Sequence, residues 1–176
     1  MTTHSSPATP RPAGPGWTLA PVPVAHPEAV AVLRVYIEEL AERFYGRPAT
    51  EQEIEDALVK EPSDDLAPPG GVFLLARSAD GAVSGCVGVR LIGARVAELK
   101  RVFVHPHARG RGGGALLLEA AEGAARELGA DVLRLDTRGD LVEARALYAR
   151  HGYREIPAYN EGPYAEHWYE KRLPTA

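Results

Sequence analysis

"VFVHPHARGRGGGALLLEA", residues 102–120, passes from an apolar stretch through two histidines and two arginines into three consecutive glycines, then into an alanine- and leucine-rich run. Glycine is the poorest ordinary helix former, yet Gly112, Gly113 and Gly114 stand where a helix must begin. A helix N-terminus carries unpaired N–H groups and the positive end of the helix dipole, so it holds an anion wherever nothing bulky blocks the approach. Glycines remove that obstruction, and the stretch reads as strand, anion-binding loop and helix.

Downstream, "ALLLEAAEGAARELG" sets Leu117, Ala121, Ala124 and Leu128 on one face and stops at Gly129, as a helix ended by glycine does. "DVLRLDT" reads as a buried strand, "LVEARALYARHG" as another glycine-ended helix, and "YREIPAY" and "HWYEKRL" as closing strands. Upstream, "VFLLARS", "AVSGCVGVRL" and "VAELKRVFV" are joined by the turns "ADG" and "IGAR", which predicts an antiparallel meander. Before it, Val30, Leu33, Ile37, Leu40 and Phe44 recur at steps of three and four, predicting an amphipathic helix. Gly46 and Pro48 end that helix, and "TEQEIEDALVKEP" opens a second with a Thr cap and puts Ile54 and Leu58 on one side. "WTLAPVPV" supplies a first strand. The order predicts one α/β (α+β) domain over residues 17–173, a mixed, mostly antiparallel sheet flanked by helices with one parallel βαβ crossover around the glycine helix.

The chain has 176 residues, 45% hydrophobic and 25% charged, enough for one domain with a sizeable core. Its net charge of -4 argues against a nucleic-acid or anionic-membrane partner bound through overall charge. The one cysteine, Cys86 in "VSGCVGV", excludes an intrachain disulfide, reads as a core thiol and fits a reducing, cytoplasmic compartment. Residues 1–16 are rich in Pro, Ser, Thr and Gly, lack the apolar region of a signal peptide and read as a disordered tail. No stretch of about 18 apolar residues occurs, so no membrane-spanning helix is expected. His105 and His107 flank Pro106 without metal-ligand spacing, so no metal is expected.

Positive charge concentrates at the glycines: residues 98–111 hold Lys100, Arg101, Arg109 and Arg111 against Glu98, whereas residues 51–65 hold seven acidic residues against Lys60. A Walker loop needs a Lys-Ser/Thr pair that is missing here. Gly110, Gly112 and Ala115 formally satisfy a dinucleotide fingerprint, with Asp136 ending a strand downstream. Yet "HPHAR" separates the glycines from the strand, and the preceding meander is antiparallel where that fold needs parallel units.

"VFVHPHARGRGGGALL" followed by "ARALYARHGYRE" resembles the GCN5-related N-acetyltransferase (GNAT) superfamily. Its acetyl-CoA motif, Q/R-x-x-G-x-G/A after a strand ending in Val-x-Pro, falls on Arg109, Gly112 and Gly114, and its L-Y-x-x-x-G-F/Y signature runs from Leu147 to Tyr153. The resemblance implies that amides of Gly110, Gly112, Gly113 and Gly114, flanked by Arg109 and Arg111, bind the pyrophosphate of acetyl-CoA. It implies too that Val102, Phe103 and Val104 pair with the pantetheine, with Ala144 and Tyr148 beside it. Gly113 departs from an aliphatic residue common in the family, and Leu141 from an asparagine.

The implied reaction is attack by a primary amine of a small molecule or protein on the acetyl thioester, with acetyl-CoA as co-substrate. Tyr148 is the expected acid for the thiolate, ahead of His151 and Tyr153, and the Val104 N–H the expected oxyanion donor. Glu98, expected on the same strand face as Lys100, Val102 and Val104 unless a bulge changes its face, is the expected base, directly or through water, unless it merely pairs with Lys100. Acceptor contacts are expected from Tyr36, Glu39, Glu98 and Tyr164. The aromatic-rich C-terminus, with Tyr153, Tyr159, Trp168 and Tyr169, suits a pocket wall or a homodimer contact, and the acidic residues around it point to a cationic amine. A non-catalytic acyl-CoA-binding module is the alternative, and a dinucleotide-binding protein a remoter one.

Overall fold

The strand order puts the glycine helix at the centre of one mixed sheet. The computed structural model describes residues 11–13 and 16–174. Its strands are β1 (Arg11–Ala13), β2 (Trp17–Pro21), β3 (Gly71–Arg77), β4 (Val83–Gly93), β5 (Val96–Val104), β6 (Val132–Thr137), β7 (Arg154–Ile156) and β8 (His167–Arg172). Its helices are α1 (Pro27–Tyr45), α2 (Glu51–Lys60), α3 (Gly113–Glu127) and α4 (Val142–Arg150). The eight strands order as β1-β2-β3-β4-β5-β6-β8-β7. Only β5 and β6, joined through α3, run parallel; the other neighbours are antiparallel. Of the tail expected to lack structure, Arg11–Ala13 pairs with β2 as an edge strand, and residues 1–10, 14 and 15 lie outside the described residues.

Local chemistry sets the helix ends. The His26 ring accepts from the Glu28 N–H at the start of α1, and Gly46 ends it in the left-handed region, its N–H bonded to Glu42 O. Thr50 and Glu53 form a reciprocal capping box on α2. α3 has no side-chain cap.

Alternation along β3 divides the core into two layers: Leu74 and Ala76 join α3, while Phe73 and Leu75 join α1. Leu117 and Leu118 of α3 are almost wholly buried, each worth about 1.5–3 kcal/mol relative to exposure. The buried face of α1 is Ala29, Val32, Leu33 and Ile37. Val30 and Phe44, expected on it, are exposed; the apolar stripe is rotated, and Phe44 lies at a cavity mouth instead of over the sheet. Cys86 is a core thiol, pushed up to about 12 by burial.

Two irregularities in β5 position the site. First, Cys86 pairs with Phe103 but Gly88 with Lys100, a bulge at which Arg101 takes a φ of 59°. Ala97 and Leu99 face the α3 layer before the bulge, Val102 and Val104 face it after, and Phe103 joins the α1 layer. Glu98 and Lys100 therefore face α1 and α2, away from Val102 and Val104, which corrects the expectation of a shared face. Second, β5 and β6 pair only from Val96 to Glu98 against Val132 to Arg134. Beyond that point the strands part.

Candidate active site

A cavity of about 690 Å³ fills the gap between the parted strands, walled by residues 99–104 of β5, 135–137 of β6, the glycine loop, α1 and α4. After β5, a single 3-10 turn (Pro106–Ala108) leads to Arg109 and into Gly110 and Gly112, both with φ of 78°, which glycine alone takes without strain. A Cβ on either would meet nothing within 4 Å. The first-turn amides of α3 therefore face the cavity end uncovered, as an anion site requires.

Gly113 and Gly114 serve otherwise. A Cβ on Gly113 would lie 2.4 Å from the Trp17 ring, and one on Gly114 2.9 Å from Leu147 of α4. Trp17 fills the room that an aliphatic side chain at position 113 would need, so glycine there is a packing requirement.

The open edge of β5 continues the cavity. His105 N–H donates to Ser84 O at 2.8 Å, so by strand alternation the N–H and C=O of Val104 turn to the other edge, where β6 has left. The Val104 carbonyl accepts from Arg109 Nε at 3.0 Å, and Arg109 also holds Glu39 of α1 at 2.5 Å. Tyr148 of α4 lies on the cavity wall, 6% exposed, its ring beside Tyr153 and Tyr169. Its hydroxyl has no hydrogen-bond partner among the described residues. Burial, then the neighbouring Tyr36 and Asp136, hold its pKa well above the usual tyrosine value, so the hydroxyl keeps its proton.

Residues 33–153 match the Acetyltransferase (GNAT) family. The chain belongs to this family. An uncharacterized N-acetyltransferase of Schizosaccharomyces pombe is 31% identical over 138 residues, 78% of this chain and 83% of the relative. Among solved structures, a Klebsiella pneumoniae protein described as an acyl-CoA N-acyltransferase superimposes with a TM-score of 0.67 at 28% identity, covering 89% of this chain and 97% of that one. PaiA N-acetyltransferase of Thermoplasma acidophilum, solved in complex with coenzyme A, has the same fold, with a TM-score of 0.67 at 19% identity over 89% of this chain and 98% of that one. The protein is an acetyltransferase.

Within this GNAT cavity, Val102, Phe103, Val104, Arg109, Gly110, Gly112, Gly113, Gly114, Ala144 and Tyr148 all line the wall, as do Tyr36, Glu39, Tyr164, Leu141 and His151. Arg111 is exposed and is not part of it. Nor is Glu98: 2% exposed, it accepts from Arg90 Nη2 at 2.7 Å and Tyr159 Oη at 2.8 Å, with Lys100 at 3.9 Å. Arg101 turns to Glu61 and Ser63, so only Arg109 and Arg111 of the four expected cations belong to the glycine loop. Of the acidic residues among the C-terminal aromatics, Glu161 and Glu166 are off the wall, and Glu166 caps Gly139 N–H, whereas Glu53, Glu61 and Glu143 line it.

The C-terminal aromatics divide likewise. Tyr153 and Tyr169 are core, the Tyr153 hydroxyl donating to Glu122 at 3.0 Å, which removes it as a thiolate acid. Tyr159 holds Glu98 and Trp168 holds Asn160; only Tyr164 of the five reaches the cavity. Asp136, which the sequence offered only as part of a dinucleotide pattern, lines the cavity beside Tyr148. Its one sequence signal is an acid at the end of a buried strand. Among the described residues no group of three His, Cys, Asp or Glu gathers as a metal site would require.

Proposed function

We propose that the protein moves an acetyl group from acetyl-CoA to a primary amine by direct attack on the thioester. The observation that carries this reading is an uncovered helix start at one end of a cavity that runs along an unpaired strand edge to a protonated tyrosine. The amides at Gly110, Gly112, Gly113 and Gly114 hold the pyrophosphate, with Arg109 and Arg111 adding charge. Pantetheine pairs along Val102, Phe103 and Val104, which requires Arg109 to release the Val104 carbonyl. A structural neighbour solved in complex with coenzyme A supports coenzyme A as the ligand.

The Val104 N–H faces the developing oxyanion. As the C–S bond breaks, Tyr148 gives the departing sulfur a hydrogen bond and then its proton. Glu98 has both oxygens occupied and no cavity face; its work is to join β4, β5 and the β7–β8 loop. Glu39 reaches the acceptor side only as the partner of Arg109, leaving Tyr36 and Tyr164 as acceptor contacts.

Titration calorimetry with coenzyme A, and thiol release from acetyl-CoA with polyamines, amino acids, aminoglycosides and peptides, test the reading. Coenzyme binding with thiol release for at least one amine is the expected result. Binding without release from any amine leaves a non-catalytic module, and NAD binding that coenzyme A fails to displace refutes the coenzyme site.

A further inference from the structure

We propose that the acceptor end of the cavity takes a primary amine carried on an uncharged, aromatic-sized body, with the Asp136 carboxylate receiving the proton that the amine sheds. The inference rests on the transferase reading above. Leu133 and Leu135 pack with α3, so Asp136, between Leu135 and Thr137 on the parted stretch of β6, turns to the α1 side. Its Oδ2 accepts from Asn160 Nδ2 at 2.7 Å, and the amide is oriented by Trp168 Nε1, which donates to Asn160 Oδ1 at 2.9 Å. Asp136 Oδ1 has no partner among the described residues. One oxygen is thus positioned and the other left for the amine, whereas Glu98 has neither free.

The carrier site follows from α1. Tyr36, Leu40 and Phe44 are spaced at i, i+4 and i+8, form one stripe, and all line the cavity. At the mouth Phe44 stacks edge-on to Tyr45 and Tyr164 at 5.2 and 5.6 Å, yet the three rings are 56%, 46% and 44% exposed. Aromatic surface gathered at a cavity mouth and left to water marks a binding surface. Arg138, just past the end of β6, lies over the Phe44 ring at 5.6 Å, and Arg47 over Tyr45 at 4.7 Å. Two of the three rings, Phe44 and Tyr45, thus already carry a guanidinium, which disfavours a carrier with further positive charge.

The ammonium gives a proton to Asp136 Oδ1 and the neutral nitrogen bonds to the acetyl carbon; the C–S bond then breaks, the sulfur takes the Tyr148 proton, and the nitrogen's second proton returns to the Tyr148 oxygen. Asp136 is left protonated and solvent resets it. Tyr148 of α4 and Tyr159 of the β7–β8 loop are close enough for the Asp136 charge to raise their pKa values; around them stand Tyr36 of α1 on the cavity wall, Glu98 of β5 bonded to the Tyr159 hydroxyl, Arg134 over the Tyr159 ring and Arg138 over Phe44.

The test compares 2-phenylethylamine, n-butylamine, spermidine and an α-amino acid as acceptors for wild type, Asp136→Asn and Phe44→Ala across pH. Wild type should favour the aromatic amine by roughly tenfold or more in kcat/KM. Asp136→Asn should lose about 10²-fold in kcat near neutral pH and regain rate as pH rises, because only amine already neutral in solution then reacts. Phe44→Ala should raise the acceptor KM without changing coenzyme affinity. Preference for spermidine or the amino acid overturns the carrier class, and a pH-independent loss in Asp136→Asn, or none, overturns the base. Thiol release from none of the amines overturns the transferase reading itself.

Discussion

The two ends of the cavity are built on different principles. The end proposed for the coenzyme consists of main-chain groups presented by Gly110 and Gly112 at the uncapped start of α3 and along the open edge of β5. The acceptor end consists of side chains from α1, β6 and the β7–β8 loop. Backbone recognition needs only that nothing stand in the way, a demand satisfied locally by glycine. Side-chain recognition needs residues far apart in the chain to meet. A substitution at one end should therefore move one substrate's parameters and spare the other's.

The largest effect belongs where the ends join. Tyr148→Phe should keep the ring contacts with Tyr153 and Tyr169, leave coenzyme affinity unchanged and lower kcat by about 10²-fold. Because burial raises its pKa, the neutral, donating form persists to higher pH than for an ordinary tyrosine. A kcat profile should accordingly show no loss from Tyr148 ionisation up to about pH 10, the ordinary tyrosine value.

Next comes the coenzyme end. Gly112→Val puts a β-branched residue at a φ of 78°, costing about 1–2 kcal/mol, and points its side chain into the space kept for phosphate. Calorimetry should find coenzyme affinity down by roughly 10- to 100-fold with the acceptor KM unmoved. Equal losses for both substrates would break the separation of the two ends.

The same division decides what could be read from the chain. The element order and the parallel crossover follow from local periodicity and glycine placement, and the structure bears them out. The bulge at Arg101 left no such mark: it depends on the pairing of β5 with β4, and it carries Val102 and Val104 away from the face of Glu98. Asp136 was out of reach for the same reason, since its neighbours Asn160 and Trp168 meet it across the sheet. Residue type was legible at every one of these positions; partnership was not.

Gly113 tests whether every glycine in the loop serves the coenzyme. Gly113→Ile drives its Cβ into the Trp17 ring and should cost about 1–3 kcal/mol as overpacking does, a fall in Tm of roughly 3–10 °C. Adding Trp17→Leu should recover part of that loss, a coupling of about 1–3 kcal/mol in a double-mutant cycle. Coenzyme affinity of the folded fraction should hold. A stable Gly113→Ile protein with weakened coenzyme binding would instead move Gly113 to the ligand side.

The smallest effect concerns the pair that spans the two ends. Arg109 is held by Glu39 of α1 while it occupies the Val104 carbonyl, and in the proposed binding mode the coenzyme draws it from both. Glu39 and Arg109 are partly exposed, at 29% and 46%, so their ion pair is worth about 0–1 kcal/mol. Glu39→Gln should tighten coenzyme binding by roughly two- to fivefold, an advantage that shrinks as salt screens the pair. A weaker affinity instead would mean that Glu39 holds Arg109 in its coenzyme-bound place. The acceptor helix would then be part of the coenzyme site, and the independence of the two ends would fail at this one contact.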